Sequence, residues 1–431
     1  MSRLHLSSVH AEEILDSRGM PTLSVTVMRG DGLRTSASVP VGASTGSKEA
    51  HDLRDGDPNR YSGAGVTKAV ASVNGEIADL LRSRTWEGQE AIDQAMIEAD
   101  GTRTRDRLGG NALIGVSLAV ARLMAEIGER PLWASLRSRR GQPRLPVPHM
   151  NILNGGAHAR TSLEFQEFMI AAIGAPSLTE GVRAGAEVYH RLRALLAEQK
   201  YATGLGDEGG FAPDLRTPEQ AIELLQRAIQ DAGYAEGLDG LAIAIDPAAS
   251  QFRDPDGTYR LAGHSHSAAE LAARYVEIVR DYPVWSIEDG MAEDDLDGWR
   301  LLTEELGERT QIVGDDLLVT NAELIDRAVR EELCTAVLIK PNQAGTVTEI
   351  RQAIERAQAG GLGQMVSHRS GETPDDFIAD LAVGIGCGQI KAGAPARGER
   401  VAKYNRLLAI ERGEQSMPYG LPAGTIPVRG E

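Results

Sequence analysis

Lysine is scarce in this chain. Of its 431 residues only six are lysine (Lys48, Lys68, Lys200, Lys340, Lys391 and Lys403), and the other 39 of 45 cationic side chains are arginine. Arginine can replace lysine as surface charge but cannot give up its proton, so each retained lysine is a candidate for special chemistry. Cysteine is scarcer still. Cys334 and Cys387 cannot build a disulfide framework or a zinc site, which points to a reducing cytoplasm. No stretch reaches the roughly 18 uninterrupted apolar residues of a membrane span, and the N-terminus has no apolar signal-peptide core. The net charge of −17 disfavours a nucleic-acid or anionic-membrane surface, because phosphates would be repelled. An acidic protein that binds an anion needs local cations or metal ions. With 42% apolar and 25% charged residues, the composition is that of a globular chain and excludes disordered, collagen-like and coiled-coil readings. The length suits two domains, one of them large.

The pattern changes along the chain. SVTVMRGDGLRTSASVPV reads as two strands joined at Gly30-Asp31-Gly32, and residues 66–136 are helical in period. Together they predict a small α+β domain over residues 1–140. The proline-rich GQPRLPVP then serves as a linker. Beyond it, short apolar runs each end in polar residues, at Asp246, Glu288, Asp315, Lys340, His368 and Lys391. After a first gap of 42 residues these ends recur every 23–28 residues, the beat of repeated βα units. The expected fold class is therefore α/β, with a (β/α)8 TIM-like barrel over residues 141–431. In such a barrel functional groups gather at the C-terminal strand ends. Two earlier elements fit less neatly: LEFQEFMIAAIG, with Gln166 and Glu167 inside it, and the glycine-rich turn GLGDEGGFAP, carrying Asp207 and Glu208.

Asp246, Glu288 and Asp315 end three strands in succession. Carboxylates converging there cannot all stay ionised without a cation, and an all-oxygen site favours Mg²⁺. A single such acid would more often cap a helix. Lys340 follows as a candidate general base, its pKa expected to be lowered beside a metal. Arg369 and Ser370 suit a phosphate. Glu208 or Glu167, held protonated in a desolvated pocket, is a candidate acid for a departing hydroxyl. The set predicts proton abstraction beside a carboxylate.

These residues lie in motifs that resemble the enolase family from end to end: EEILDSRGMPT, VGASTGSKEA, NILNGGAHA, FQEFMI, GDEGGFAP, SIEDG, VGDDLLVTN, IKPNQAG, SHRSGET and GQIKAGAPAR. The resemblance implies an enolase-type barrel whose first units are irregular, assembled as a homodimer or homo-octamer. It implies a small phosphorylated carboxylate substrate, with 2-phosphoglycerate to phosphoenolpyruvate as the default reaction. It gives Lys340 the C2 proton, and Glu208, with Glu167 and Gln166 beside it, the departing hydroxyl. Asp246, Glu288 and Asp315 match the first Mg²⁺ site, Lys391 the carboxylate contact, and Arg369 with Ser370 the phosphate contact. His158 and His368 line the substrate.

Several positions depart from the family's usual pattern: Met20, Val41, Pro247, Gln251, Pro341 and Ala344. At Val41 the family usually has a serine that supplies oxygens to a second Mg²⁺, and valine keeps only its backbone carbonyl. A phosphono-modified glycerate, the substrate type of carboxyphosphonoenolpyruvate synthase in phosphinate antibiotic biosynthesis, is therefore an alternative substrate. A non-catalytic binding protein on the same fold is a further alternative.

Overall fold

A computed structural model describes residues 4–43, 46–159 and 161–425. The N-terminal part is a three-stranded antiparallel sheet of β1 (Leu6–Leu15), β2 (Pro21–Arg29) and β3 (Arg34–Ser38) with helices on one face. The hairpin joining β2 and β3 turns at the glycines expected; β1 is an additional strand, paired along its length with β2. The 18-residue helix Gly110–Ile127 packs on β2 and β3. Its length and apolarity would suit a membrane span, but 78% of it is buried within the protein. Gly115 permits the close approach, since a Cβ there would fall 2.7 Å from Val25 Cγ2.

Eight strands close the barrel. In spatial order they are β4 (Val147–Asn154), β5 (Glu167–Ala171), β6 (Ala242–Asp246), β9 (Val284–Glu288), β10 (Gln311–Gly314), β11 (Ala336–Ile339), β12 (Gly363–Ser367) and β13 (Gln389–Lys391). A side hairpin of β7 (Tyr259–Leu261) and β8 (His264–His266) lies outside it. From β6 onward neighbours are parallel, and each crossover contains a helix. Several of the helices begin where the sequence provides caps, for example the capping box of Ser267 with Glu270 and the Thr346 cap on Glu349 N–H.

The first units break the pattern: β5 runs antiparallel to both β4 and β6. Among the described residues the segment between β4 and β5 holds no α-helix, only the short 3₁₀ turn Gly156–His158, and the chain returns antiparallel. Two helices, Leu178–Glu198 and Pro218–Asp231, then separate β5 from β6. The turn between them is the glycine-rich GLGDEGGFAP, bridged to the C-terminal end of β4 by Asn154 N–H on the Phe211 carbonyl at 2.8 Å. Glu208 thus reaches the functional rim from a turn between helices, whereas Asp246 and Glu288 stand on strands.

Candidate active site

The C-terminal rim of the barrel gathers a buried set of charges. Glu167, Glu208, Asp246, Glu288, Asp315 and Lys391 are each no more than 7% exposed. Lys391 Nζ donates to both oxygens of Glu288 at 2.8 Å and to Glu167 Oε1 at 3.2 Å, and lies 3.5 Å from Asp246 Oδ2. Lys340 Nζ donates to Asp315 Oδ2, whose other oxygen accepts from Gln343 Nε2 at 3.0 Å.

The three strand-end acids are brought to one rim but not into one close group: Lys391 lies between Asp246 and Glu288, and Lys340 pairs with Asp315. Among the described residues the acid groups with ligand atoms within 4.8 Å of one another are His158–Glu167–Glu208 and Asp289–Asp315–Asp316. Burial, outweighing the nearby Lys391, pushes Asp246 up to about 7 and Glu288 to about 8. Two buried carboxylates are therefore short of positive charge. A hard divalent cation fits this all-oxygen donor set.

The lowering expected for Lys340 is that of a lysine beside a bound metal; the protein's own groups set a different balance. Burial is the largest influence and pulls its pKa down, but Asp315, with Glu288 and the other opposing contacts, leaves it above the ordinary value. Glu208 differs too. Burial raises it, yet His368 and His158, with Arg400 behind them, carry it well below the usual carboxylate range. His158 Nε2 lies 3.4 Å from Glu208 Oε1 and 3.7 Å from Glu167 Oε1. His158 itself is raised, because Glu208 and Glu167 outweigh its burial. Asn151 Nδ2 also donates to Glu208, at 2.9 Å.

Gln166 is tied into the same rim. Its Nε2 donates to Asp246 Oδ2 at 3.2 Å, and its Oε1 accepts from Gln251 Nε2 at 2.6 Å. Gln251 in turn accepts the Ala157 N–H at 3.2 Å, so this unusual glutamine links the His158 turn to Asp246.

Across the rim, the N-terminal domain engages the phosphate candidates. Arg369 Nη1 donates to Glu49 Oε2 at 2.8 Å and to Asn342 Oδ1 at 3.1 Å. Ser370 Oγ accepts the Ala43 N–H at 2.6 Å. Val41 forms a reciprocal bridge with Gly371, and its carbonyl accepts both the Gly371 N–H at 2.8 Å and Arg18 Nη2 at 3.3 Å. Both lone pairs of that carbonyl are thereby used. Pro341 has a local reason: Lys340 is the N-cap of the short helix Pro341–Ala344, and proline at a first helical position leaves no N–H unsatisfied. Met20 is 36% exposed, and nothing in the structure explains it.

Sequence reading passed over Glu49, Asn151, Gln343 and Arg400. The first three lie within or beside the quoted motifs, so motif membership was the available signal. Arg400 lies beyond them, and only its contacts reveal it.

The comparisons agree with this geometry. Residues 6–136 match the family model "Enolase, N-terminal domain", and residues 142–419 match "Enolase, C-terminal TIM barrel domain". The chain is 53% identical over 412 residues to "Enolase 2" of Pseudomonas syringae pv. syringae (strain B728a), covering 95% of this chain and 96% of that protein. The identity and coverage are the same for "Enolase 2" of Pseudomonas syringae pv. tomato (strain ATCC BAA-871 / DC3000). With both halves of the fold matched, the chain belongs to the enolase family and is a hydro-lyase of enolase type.

Proposed function

We propose that this enolase-type lyase eliminates water from 2-phosphoglycerate to give phosphoenolpyruvate, with Mg²⁺ as its metal. The observation that carries this reading is the placement of Lys340 against Asp315 on the rim that also bears Arg369 and Ser370. A base, a carboxylate set for a cation and a phosphate fork there suit one small anionic substrate.

Asp246, Glu288 and Asp315 would hold Mg²⁺, which when bound lowers the cost of extra negative charge on the substrate carboxylate. Lys391 orients that carboxylate from the centre of the rim. Arg369 and Ser370 take the phosphate, exchanging contacts with Glu49 and Ala43 for it. Lys340 removes the C2 proton. A cation held by Asp315 would draw on the charge that now raises Lys340, leaving burial to favour the neutral base. Glu208, with Glu167 and His158 beside it, returns a proton to the hydroxyl leaving C3. An anionic substrate next to Glu208 raises its pKa by like-charge repulsion and populates the acid form. One proton is taken at C2, one is delivered at C3, and water departs.

Purified protein with Mg²⁺ and 2-phosphoglycerate tests this. The account expects phosphoenolpyruvate at a turnover on the order of 10 s⁻¹; a folded protein that forms none contradicts it. Val41 favours a second reading, since it lacks a hydroxyl and its carbonyl is already engaged by Gly371 and Arg18. A phosphono-modified glycerate would bring its own oxygen to that corner. Under that reading, turnover of 2-phosphoglycerate is orders of magnitude lower and is partly restored by Val41→Ser.

A further inference from the structure

Arg400 is wholly buried in the helix Gly398–Gly413, behind the rim. Its Nη1 donates to His368 Nδ1 at 2.5 Å and to the Arg369 carbonyl at 2.6 Å. Its Nη2 donates to the Ser370 carbonyl and, at 3.2 Å, to the carbonyl of Asp207. One guanidinium therefore ties three successive residues after β12 to the turn that presents Glu208.

The packing around it is specific. A Cβ at Gly393 would fall 2.7 Å from Arg400 Cδ and 2.9 Å from the Glu208 carbonyl, at a φ of +83° that L residues rarely adopt. Tyr404 Oη closes the other side on the Gly393 carbonyl at 2.5 Å. The nearest carboxylate to Arg400 is Glu399, 3.5 Å from its Nε. Burying a cation among carbonyls is costly compared with an apolar side chain of similar volume, so stability alone is a weak reason to keep it.

We propose that Arg400 is a positioning residue that fixes His368 as the neutral Nε2–H tautomer and holds that ring edge beside Glu208. The argument is one of donors and acceptors. A guanidinium has only donors, so His368 Nδ1 must offer a lone pair, and the ring's single proton sits on Nε2. Nε2 lies 3.3 Å from Glu208 Oε2. Arg400 thus sets both where the proton of His368 lies and how Glu208 stands relative to Arg369 and Ser370. Its consequence for turnover rests on Glu208 being the acid of the proposed reaction; the tautomer does not.

Histidine side-chain nitrogen NMR on the whole protein at neutral pH tests the tautomer, with His368 assigned by the signals lost in His368→Gln. The expected result is a single ring protonated at Nε2. A ring protonated at Nδ1, or at both nitrogens, overturns the proposal whether or not any Arg400 variant folds. In Arg400→Lys the point-like ammonium cannot hold Nδ1 and two carbonyls together. There His368 should lose its single tautomer, kcat on 2-phosphoglycerate should fall about tenfold to a hundredfold, and KM should rise. A folded Arg400→Lys with the wild-type His368 signal contradicts positioning. A changed signal with unchanged kinetics supports positioning and removes Glu208 from the reaction.

Discussion

Lys391 Nζ lies 2.8 Å from both carboxylate oxygens of Glu288, although the two residues stand on β13 and β9, opposite each other in the barrel. The ammonium therefore sits across the barrel mouth and offsets charge on Glu288, Glu167 and Asp246 together. Breaking a buried pair leaves an uncompensated charge, at a cost of about 3–5 kcal/mol. Lys391→Ala should lose stability on that scale in urea melts, and added Mg²⁺ should stabilise the variant more than the wild type. Equal stability in both proteins without metal would mean that Lys391 offsets nothing.

The metal assignment has its own test. Asp246→Ala, Glu288→Ala and Asp315→Ala each remove a charged oxygen ligand. Each should weaken Mg²⁺ binding about tenfold or more in calorimetry, since even partners behind the ligands contribute that much. Unchanged binding in all three would make the rim acids purely structural.

His149 on β4, in register with Lys391 on β13, provides a pH test of stability. Burial pushes its pKa down from 6.5 to about 3, against the opposing contact of its Nδ1 with the Val147 carbonyl. The folded protein therefore keeps His149 neutral where the unfolded chain protonates it. Its share of stability is complete above about 6.5 and is lost as pH falls toward about 3. The slope is about 1.4 kcal/mol per pH unit. His149→Met should flatten the acid side of the stability curve by that one proton. An unchanged slope in urea melts from neutral to acid pH would show that His149 is protonated in the fold.

How far the sequence spoke depends on how local each signal is. Asp246, Glu288, Lys340 and Lys391 were legible because each ends a short apolar run, a pattern confined to one βα unit. Glu208 was legible as a residue in a glycine-rich turn, but its route to the rim was not. That route depends on two helices carrying the chain back between β5 and β6. The partnership of Glu49 with Arg369 joins residues 320 positions apart, and nothing local announces it. Arg400 sits in an ordinary-looking helical stretch whose meaning lies in four contacts made elsewhere. The pKa directions that the protein's own groups set for Lys340 and Glu208 were not legible for a related reason. Burial could be inferred from the strand pattern, but the neighbouring Asp315, His158 and His368 decide the sign.

The central claim is that Lys340 takes the C2 proton. The most direct measurement is exchange of the C2 hydrogen of 2-phosphoglycerate with deuterated solvent in the presence of Mg²⁺, comparing wild type with Lys340→Arg. Arginine keeps the charge beside Asp315 but cannot accept a proton at working pH. The account predicts exchange in the wild type and none in the variant, with Mg²⁺ binding nearly unchanged. Exchange at a near-native rate in Lys340→Arg would contradict it.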